Sequence, residues 1–111
     1  MPEIPLGCCA ECLTLETITI SPTIRSIGYN AFVKCISLPM VTISERVVSI
    51  GDGAFAFCHK LTTIFLSASV MKMGEDVFYG CNALQEIIVP KGSKEKFVKM
   101  LPDWQKQIKE K

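Results

Sequence analysis

The chain has 111 residues, 49% of them hydrophobic, which excludes intrinsic disorder and suffices for one domain with its own core. Its uninterrupted apolar runs are far shorter than the ~20 residues of a membrane-spanning helix, so we expect no membrane insertion. The net charge of +1 is unevenly placed, because residues 91–111 hold seven lysines against Glu95, Asp103 and Glu110.

The sequence repeats with a period of 23 residues, and apolar residues recur in register around four cysteines. The columns include Cys12, Cys35, Cys58 and Cys81; Leu15, Leu38, Leu61 and Leu84; Ile18, Val41, Ile64 and Ile87; Ile27, Ile50 and Met73; Gly28, Gly51 and Gly74; and Phe32, Phe55 and Phe78. A fixed period of about 20–30 residues with apolar columns is typical of a solenoid, in which each repeat forms one coil.

The beginning of the chain is predicted to form an incomplete first repeat, residues 1–11. Projecting the period backward places Ile4 in the column of Ile27, so the chain enters in mid-repeat. No basic segment followed by an apolar one opens the sequence, so no secretory signal is predicted. An open first coil of this kind favours either a terminal fragment of a longer array or an end that another molecule covers.

Each complete repeat is predicted to contain two short extended segments and a turn. Val41-Thr42-Ile43 alternates apolar and polar side chains, the pattern of a half-buried strand. A second extended segment ends at Ile50, and the glycine after it permits a positive φ or a close backbone approach. A helical or 3₁₀ turn is then expected at Ala54-Phe55, with the phenylalanine inward. Stacked coils would pair their strands in parallel and form ladders of identical side chains.

The repeat ends at Pro90 and gives way to a predicted cap. A lysine-rich helix is expected over residues 94–101, with Ser93 as its N-cap. Trp104 and Ile108 are expected to lie over the open end of the last coil. The apolar contacts of the helix would be Phe97, Val98 and Leu101. The predicted organisation is an incomplete repeat (1–11), repeat units over 12–90 (12–34, 35–57, 58–80 and a partial unit 81–90) and a C-terminal helical cap (91–111).

Several motifs at this period resemble the BspA-like leucine-rich repeat family. They are Leu-x-x-Ile-x-Ile, then Ile-Gly, then Ala-Phe-x-x-Cys, as in Ser26-Ile27-Gly28 followed by Ala31-Phe32-Val33-Lys34-Cys35. The resemblance runs from Ile4 to about Trp104. It implies an α/β solenoid, a right-handed leucine-rich-repeat superhelix with a parallel strand ladder, short helical turns and a C-terminal capping helix.

The resemblance also carries expectations about function. Members of this family are typically bacterial or protist surface proteins, proposed to bind matrix proteins, other cells or glycans. It implies a cell-surface or secreted location and an adhesion role for this chain, although the missing export signal leaves an intracellular location open. The family pattern contains no catalytic residues and no cofactor, so none is assigned here.

The reactive side chains do not combine into a recognisable catalytic or metal site. The ladder cysteines are expected to point inward as reduced, small apolar fillers, and Cys8, Cys9 and Cys12 to be the more reactive ones. Cys9-x-x-Cys12 has the spacing of a redox or half-zinc motif, but no second pair accompanies it. His59 follows Cys58 at a variable position, and neighbours in an ordered turn usually point apart. We therefore predict a non-enzyme without metal or cofactor.

The acidic residues at the turn and the lysine-rich tail both have ordinary structural interpretations. Glu75-Asp76 and Asp52 fall at a turn position, where carboxylates stabilise the turn more often than they bind a cation. The lysine-rich tail contains no arginine and no aromatic ladder, so we interpret it as a solvated cap and expect no nucleic-acid partner.

The outward strand positions are the predicted recognition surface. Successive coils would place Phe65 beside Ile88 in an apolar patch, which often marks a binding site. The alternative is that the C-terminal cap covers these two side chains. The candidate partner-binding residues are Met40, Thr42, Thr63, Phe65, Glu86 and Ile88.

Three functional hypotheses follow. The first is a module that binds a protein or glycan through this strand face. The second is a structural fragment of a longer array that self-associates through its open N-terminal coil, where Cys8, Cys9 and Ile18 would make the contacts. The third, ranked far behind, is a thiol-dependent enzyme, which requires an accessible thiol of lowered pKa.

Overall fold

The computed structural model describes residues 3–4, 20 and 23–110. The elements in chain order are β1 (Glu3–Ile4), β2 (Ser26–Ile27), β3 (Met40–Thr42), β4 (Ser49–Ile50), β5 (Thr63–Phe65), β6 (Lys72–Met73), β7 (Glu86–Val89), α1 (Lys94–Met100), a 3₁₀ turn (Pro102–Trp104) and β8 (Ile108–Glu110). The described strands form two parallel sheets with the orders β1-β2-β4-β6 and β3-β5-β7-β8. Successive coils therefore contribute one strand to each sheet, as the solenoid prediction requires.

The strand ladders follow the 23-residue period. In one sheet Val41 pairs with Ile64 and Ile64 with Ile87, and in the other Ile27 pairs with Ile50 and Ile50 with Met73. These side chains face the core, while their neighbours along the strands face outward. β-Branched residues suit this pleated, half-buried geometry. The alternating pattern and its register are confirmed.

A phenylalanine stack fills the space between the sheets and the turns. The rings of Phe32 and Phe55 are nearly parallel, with centroids 5.3 Å apart, and those of Phe55 and Phe78 are 6.1 Å apart. Trp104 closes the stack with its ring edge-on to Phe78 at 6.0 Å. The predicted position of Trp104 over the end of the last coil is therefore confirmed.

The turn that carries each phenylalanine is not helical. Within one coil the N–H of Ala31 bonds to the Gly28 carbonyl, but the N–H of Phe32 bonds to the Ala54 carbonyl of the next coil. Because alternate N–H groups leave the coil, no helix forms between β2 and β3 or between β4 and β5. The helical or 3₁₀ turn expected here is wrong. The chain instead makes separate turns that pair with their neighbours.

Positive φ angles recur at two positions of this turn. One column holds Asn30, Gly53 and Asp76, and the other holds Lys34, Phe57 and Gly80. No positive φ occurs in the column of Gly28, Gly51 and Gly74. Of the two roles expected for those glycines, the structure therefore supports close backbone approach.

The C-terminal cap contains the expected helix and one strand that was not expected. Helix α1 ends one residue before the predicted boundary, and its buried face carries Phe97. Ser93 occupies the N-cap position, but its hydroxyl donates to the Pro90 carbonyl and does not cap the helix. A Glu110 carboxylate oxygen accepts the N–H groups of Gly92 and Lys94 at 3.0 and 3.1 Å, respectively. The strand β8 thus stabilises the start of the helix.

The predicted position of Ile108 over the end of the last coil is confirmed, and a strand holds it there. The strand β8 pairs in parallel with β7 and sets Ile108 opposite Ile87. Ile108 is buried and extends the inward Val41–Ile64–Ile87 ladder by one more position. The cap therefore adds one strand to the three described repeat strands of this sheet.

Candidate functional site

The outward face of the sheet β3-β5-β7-β8 brings all six predicted partner-binding residues together. Met40, Thr63 and Glu86 are successive partners in one row, and Thr42, Phe65 and Ile88 are successive partners in the next. Parallel strands lie about 4.8 Å apart, so side chains within a row are close neighbours. We name this surface, defined by those six residues, the strand face.

The apolar part of the strand face is partly covered. Phe65 and Ile88 are each half-buried, whereas Met40 is 51% exposed. On the side of β7 that faces the cap, Ile88 has Lys109 of β8 as its strand partner. Both expectations for this patch are therefore partly met, since it reaches solvent and the cap also borders it. Met40 is its most exposed large apolar side chain.

The cap gives the strand face a charged border that the sequence analysis missed. The Lys109 ammonium lies 3.3 Å from a Glu86 carboxylate oxygen, and both side chains are about half exposed. An exposed pair of this kind contributes little to stability, about 0–1 kcal/mol. The pair places two opposite charges beside the apolar row. The only signal in the sequence was the short apolar–polar alternation Gln107-Ile108-Lys109.

On the turn side of the molecule, the structural role expected for the carboxylates is seen for Asp52. An Asp52 oxygen accepts the N–H of Glu75 from the next coil at 2.8 Å. Asp76 has a φ of 56°, a conformation that aspartate tolerates better than most residues. Neither observation indicates a bound cation.

The three described cysteines, Cys35, Cys58 and Cys81, are buried thiols. The Cys58 thiol donates to the Phe32 carbonyl, and the Cys81 thiol to the Phe55 carbonyl at 3.0 Å. The side-chain hydrogen bond with Cys81 and then burial raise the pKa of the Cys58 thiol. The Cys58 thiol is therefore held in its protonated, unreactive form at neutral pH.

Adjacent residues in the turn have separate surroundings. The His59 ring is exposed and lies edge-on to Phe57 at 6.3 Å, while Cys58 points into the core. The two side chains do not form a thiol–imidazole pair. Cys8, Cys9, Cys12 and Ile18, on which the redox and self-association hypotheses depend, lie outside the described residues.

We expect the ladder thiols to resist alkylation in the folded protein. After iodoacetamide treatment at about pH 8, near the ordinary thiol pKa, peptide mass spectrometry should find Cys35, Cys58 and Cys81 unmodified. The same treatment in denaturant should modify all three, because unfolding exposes them. Rapid modification of Cys58 in the folded protein would contradict the burial and hydrogen bonding of this column.

Solved structures share this architecture. A leucine-rich repeat protein from Bacteroides ovatus ATCC 8483 superposes with a TM-score of 0.79 at 25% identity, over 99% of this chain and 28% of that chain. A leucine rich cell surface protein from Faecalibacterium prausnitzii A2-165 gives a TM-score of 0.80 at 31% identity, over 88% of this chain and 27% of that chain. This chain thus spans about a quarter of the length of each.

Two further comparisons complete the assignment. The search of curated proteins gives no match. In the part of the chain that the structure describes, no helix is long and apolar enough to cross a membrane. The model of the BspA type leucine rich repeat region matches residues 2–100 in six copies. Leucine-rich repeats of this kind are generally interaction modules and generally not enzymes, and this chain belongs to the BspA-type leucine-rich repeat family.

Proposed function

We propose that the chain is a non-enzymatic module that binds a protein or glycan partner through its strand face, in an adhesion role at the cell surface. The observation that carries the proposal is the parallel register of β3, β5, β7 and β8, which gathers outward side chains into one continuous surface. A solenoid varies such positions without disturbing its core, because inward and outward residues alternate along each strand.

The composition of the strand face suits recognition. The row Thr42–Phe65–Ile88 offers an apolar centre, and Met40 adds an exposed flexible thioether side chain beside it. The Glu86–Lys109 pair supplies charges at one border. An apolar centre with a polar rim is the general anatomy of a protein interface. Threonine hydroxyls and the charged pair are also groups that hydrogen-bond the hydroxyls of a glycan.

The location is part of the same proposal. It is supported by the similarity to the cell surface protein of Faecalibacterium prausnitzii, which is 31% identical over the matched region. A surface location gives a module of this kind access to matrix proteins and to glycans. Among the described residues the buried thiols and His59 do not come together, which agrees with a binding role.

A binding screen with one variant tests the proposal. The purified chain and its Phe65→Lys variant would be immobilised and exposed to arrays of extracellular matrix proteins and glycans. We expect the chain to bind a partner and the variant to lose at least tenfold in affinity, because lysine places a charge in the apolar row. Circular dichroism and thermal unfolding would verify that the variant keeps the fold.

A matched control separates the strand face from the rest of the surface. Val48 is an exposed apolar residue directly before β4, in the other sheet. Val48→Lys introduces the same charge there and should leave binding unchanged. Equal binding by the chain and by a folded Phe65→Lys variant would contradict recognition through the strand face.

A further inference from the structure

The last repeat coil leaves a row of backbone donors without acceptors. In the first described coil the N–H groups of Asn30, Phe32 and Lys34 donate to carbonyls of the next coil at 2.8–3.0 Å. In the second coil the N–H groups of the equivalent residues, Gly53, Phe55 and Phe57, do the same at 2.7–3.0 Å. Asp76, Phe78 and Gly80 occupy these positions in the third coil, and their N–H groups have no acceptor among the described residues.

Backbone acceptors lie beside these donors. The carbonyls of Ile27 and Ile50 each accept an N–H from the glycine of the following coil at 2.8 Å. Met73 is the equivalent residue in β6, the edge strand of its sheet, and its carbonyl accepts no such bond from the described residues. The C-terminal cap extends only the other sheet, through β8. One side of the last coil therefore keeps an open hydrogen-bonding edge.

A groove of about 600 Å³ runs along this edge. Its repeat side includes Met73, Glu75 and Asp76, and its cap side includes Met100, Asp103 and Trp104. Three carboxylates thus border the groove, and no lysine or arginine belongs to its described lining. The charge favours a basic occupant, while the two methionines and the tryptophan favour apolar contact.

We propose that this groove binds a basic peptide segment of a protein partner, which follows the path of a repeat coil and adds to the solenoid as one more partial coil. The carbonyls of the segment would accept the N–H groups of Asp76, Phe78 and Gly80. Its own N–H groups would donate to the carbonyls of Met73 and Met71. Met71 is the equivalent of Arg25 and Val48, whose carbonyls each accept two N–H groups of the following coil. Addition of a peptide to an open backbone edge is a common recognition mode, in which the main chain supplies affinity and the side chains supply specificity.

The spacing of the donors determines the conformation of the segment. In the inner coils the acceptors of these alternate donors are the carbonyls of Asp52, Ala54 and Ala56, which lie in an equivalent turn. The segment would therefore follow the turned path of a coil, so a regular helix would not fit. Trp104 already covers Phe78, so the segment needs a small side chain where a full coil would carry phenylalanine. This surface is separate from the strand face, and the two sites can be tested independently.

A synthetic peptide derived from the chain itself is a direct probe. It carries the sequence of residues 71–82 with Glu75→Lys and Asp76→Lys to match the acidic border, Val77→Ala and Phe78→Ala to clear Trp104, and Cys81→Ser to prevent oxidation. We expect saturable binding by fluorescence polarisation. In the isotope-labelled protein, amide hydrogen exchange of Asp76, Phe78 and Gly80 should slow when the peptide is bound.

Two controls separate backbone pairing from simple charge attraction. The same peptide with N-methyl groups at the positions of Met71 and Gly74 keeps its charge but loses donors, and it should bind at least tenfold more weakly. The protein variant Glu75→Gln/Asp76→Asn should weaken binding by about 2- to 5-fold for each charge removed. Asparagine tolerates the positive φ of position 76, so this variant should fold.

The matched protein control is Glu45→Gln/Glu95→Gln, which removes two carboxylates away from the groove and should bind the peptide normally. Phe65→Lys should also bind it normally, so a failure of the strand-face proposal would be distinguishable. The inference would be overturned by no binding at about 1 mM peptide, by equal binding of the N-methylated peptide, or by unchanged exchange at the three amides.

Discussion

Replacing Phe55 by alanine is expected to lower the free energy of unfolding by about 3–5 kcal/mol. Phe55 is fully buried and lies between two other aromatic rings, at 5.3 Å from Phe32 and 6.1 Å from Phe78. Alanine would leave a cavity in the middle of this stack, and the flanking coils are hydrogen-bonded to one another and cannot close it. A typical domain has only about 5–15 kcal/mol of stability, so the loss would be severe.

Urea unfolding followed by the fluorescence of Trp104, the only tryptophan, would measure this loss. Trp104 contacts the same stack through Phe78, so its emission reports on the region directly. Phe65→Ala is the matched control, because it removes the same atoms from a half-buried outward position. It should lower the free energy of unfolding by less than Phe55→Ala does. Equal losses for the two variants would show that the stack does not stabilise the coils as described.

The substitution Gly51→Ala is expected to destabilise the fold by about 3 kcal/mol. A Cβ atom at this position would lie 2.7 Å from the Tyr29 nitrogen and 2.8 Å from the Gly28 carbonyl carbon. Both atoms belong to the backbone of the preceding coil. They cannot retreat without disturbing the bond from the Gly51 N–H to the Ile27 carbonyl, which is 2.8 Å long.

Thermal unfolding should show a decrease in Tm of about 10–20 °C for Gly51→Ala. Gly92→Ala is an informative comparison, because Gly92 has a φ of +89° but no atom lies within 4 Å of its added Cβ. That variant tests the effect of backbone conformation without crowding, and its free energy of unfolding should be lower by about 1 kcal/mol. If Gly51→Ala is no more harmful than Gly92→Ala, close approach between coils is not the reason for this glycine column.

The parts of the fold that depend on side-chain periodicity were predictable from the sequence. Val41, Ile64 and Ile87 stand in one column because a solenoid places equivalent residues in contact, so the strand register could be written from the period alone. The alternation of inward and outward residues also predicted that the six residues of the strand face lie on one surface. The inward, reduced cysteines followed from their column as well.

The parts that depend on backbone pairing between coils were not predictable. The turn at Phe32 looks helical in a single repeat, but its shape comes from N–H groups that bond to Ala54 and its neighbours in the next coil. The strand β8 was missed because Ile108 follows Ile87 by 21 residues with a helix between them, which removes it from the 23-residue columns. Lys109, at the border of the strand face, was missed for the same reason.

The paired turns have a consequence for the history of such arrays. At its turn, each inner coil presents N–H groups to the coil that follows it and carbonyls to the coil that precedes it, at equivalent positions. A duplicated segment of 23 residues therefore meets compatible edges on both sides, whereas an insertion of another length would shift every column. Gene duplication can lengthen the array without new core contacts, in keeping with solved relatives of which this chain covers 27–28%.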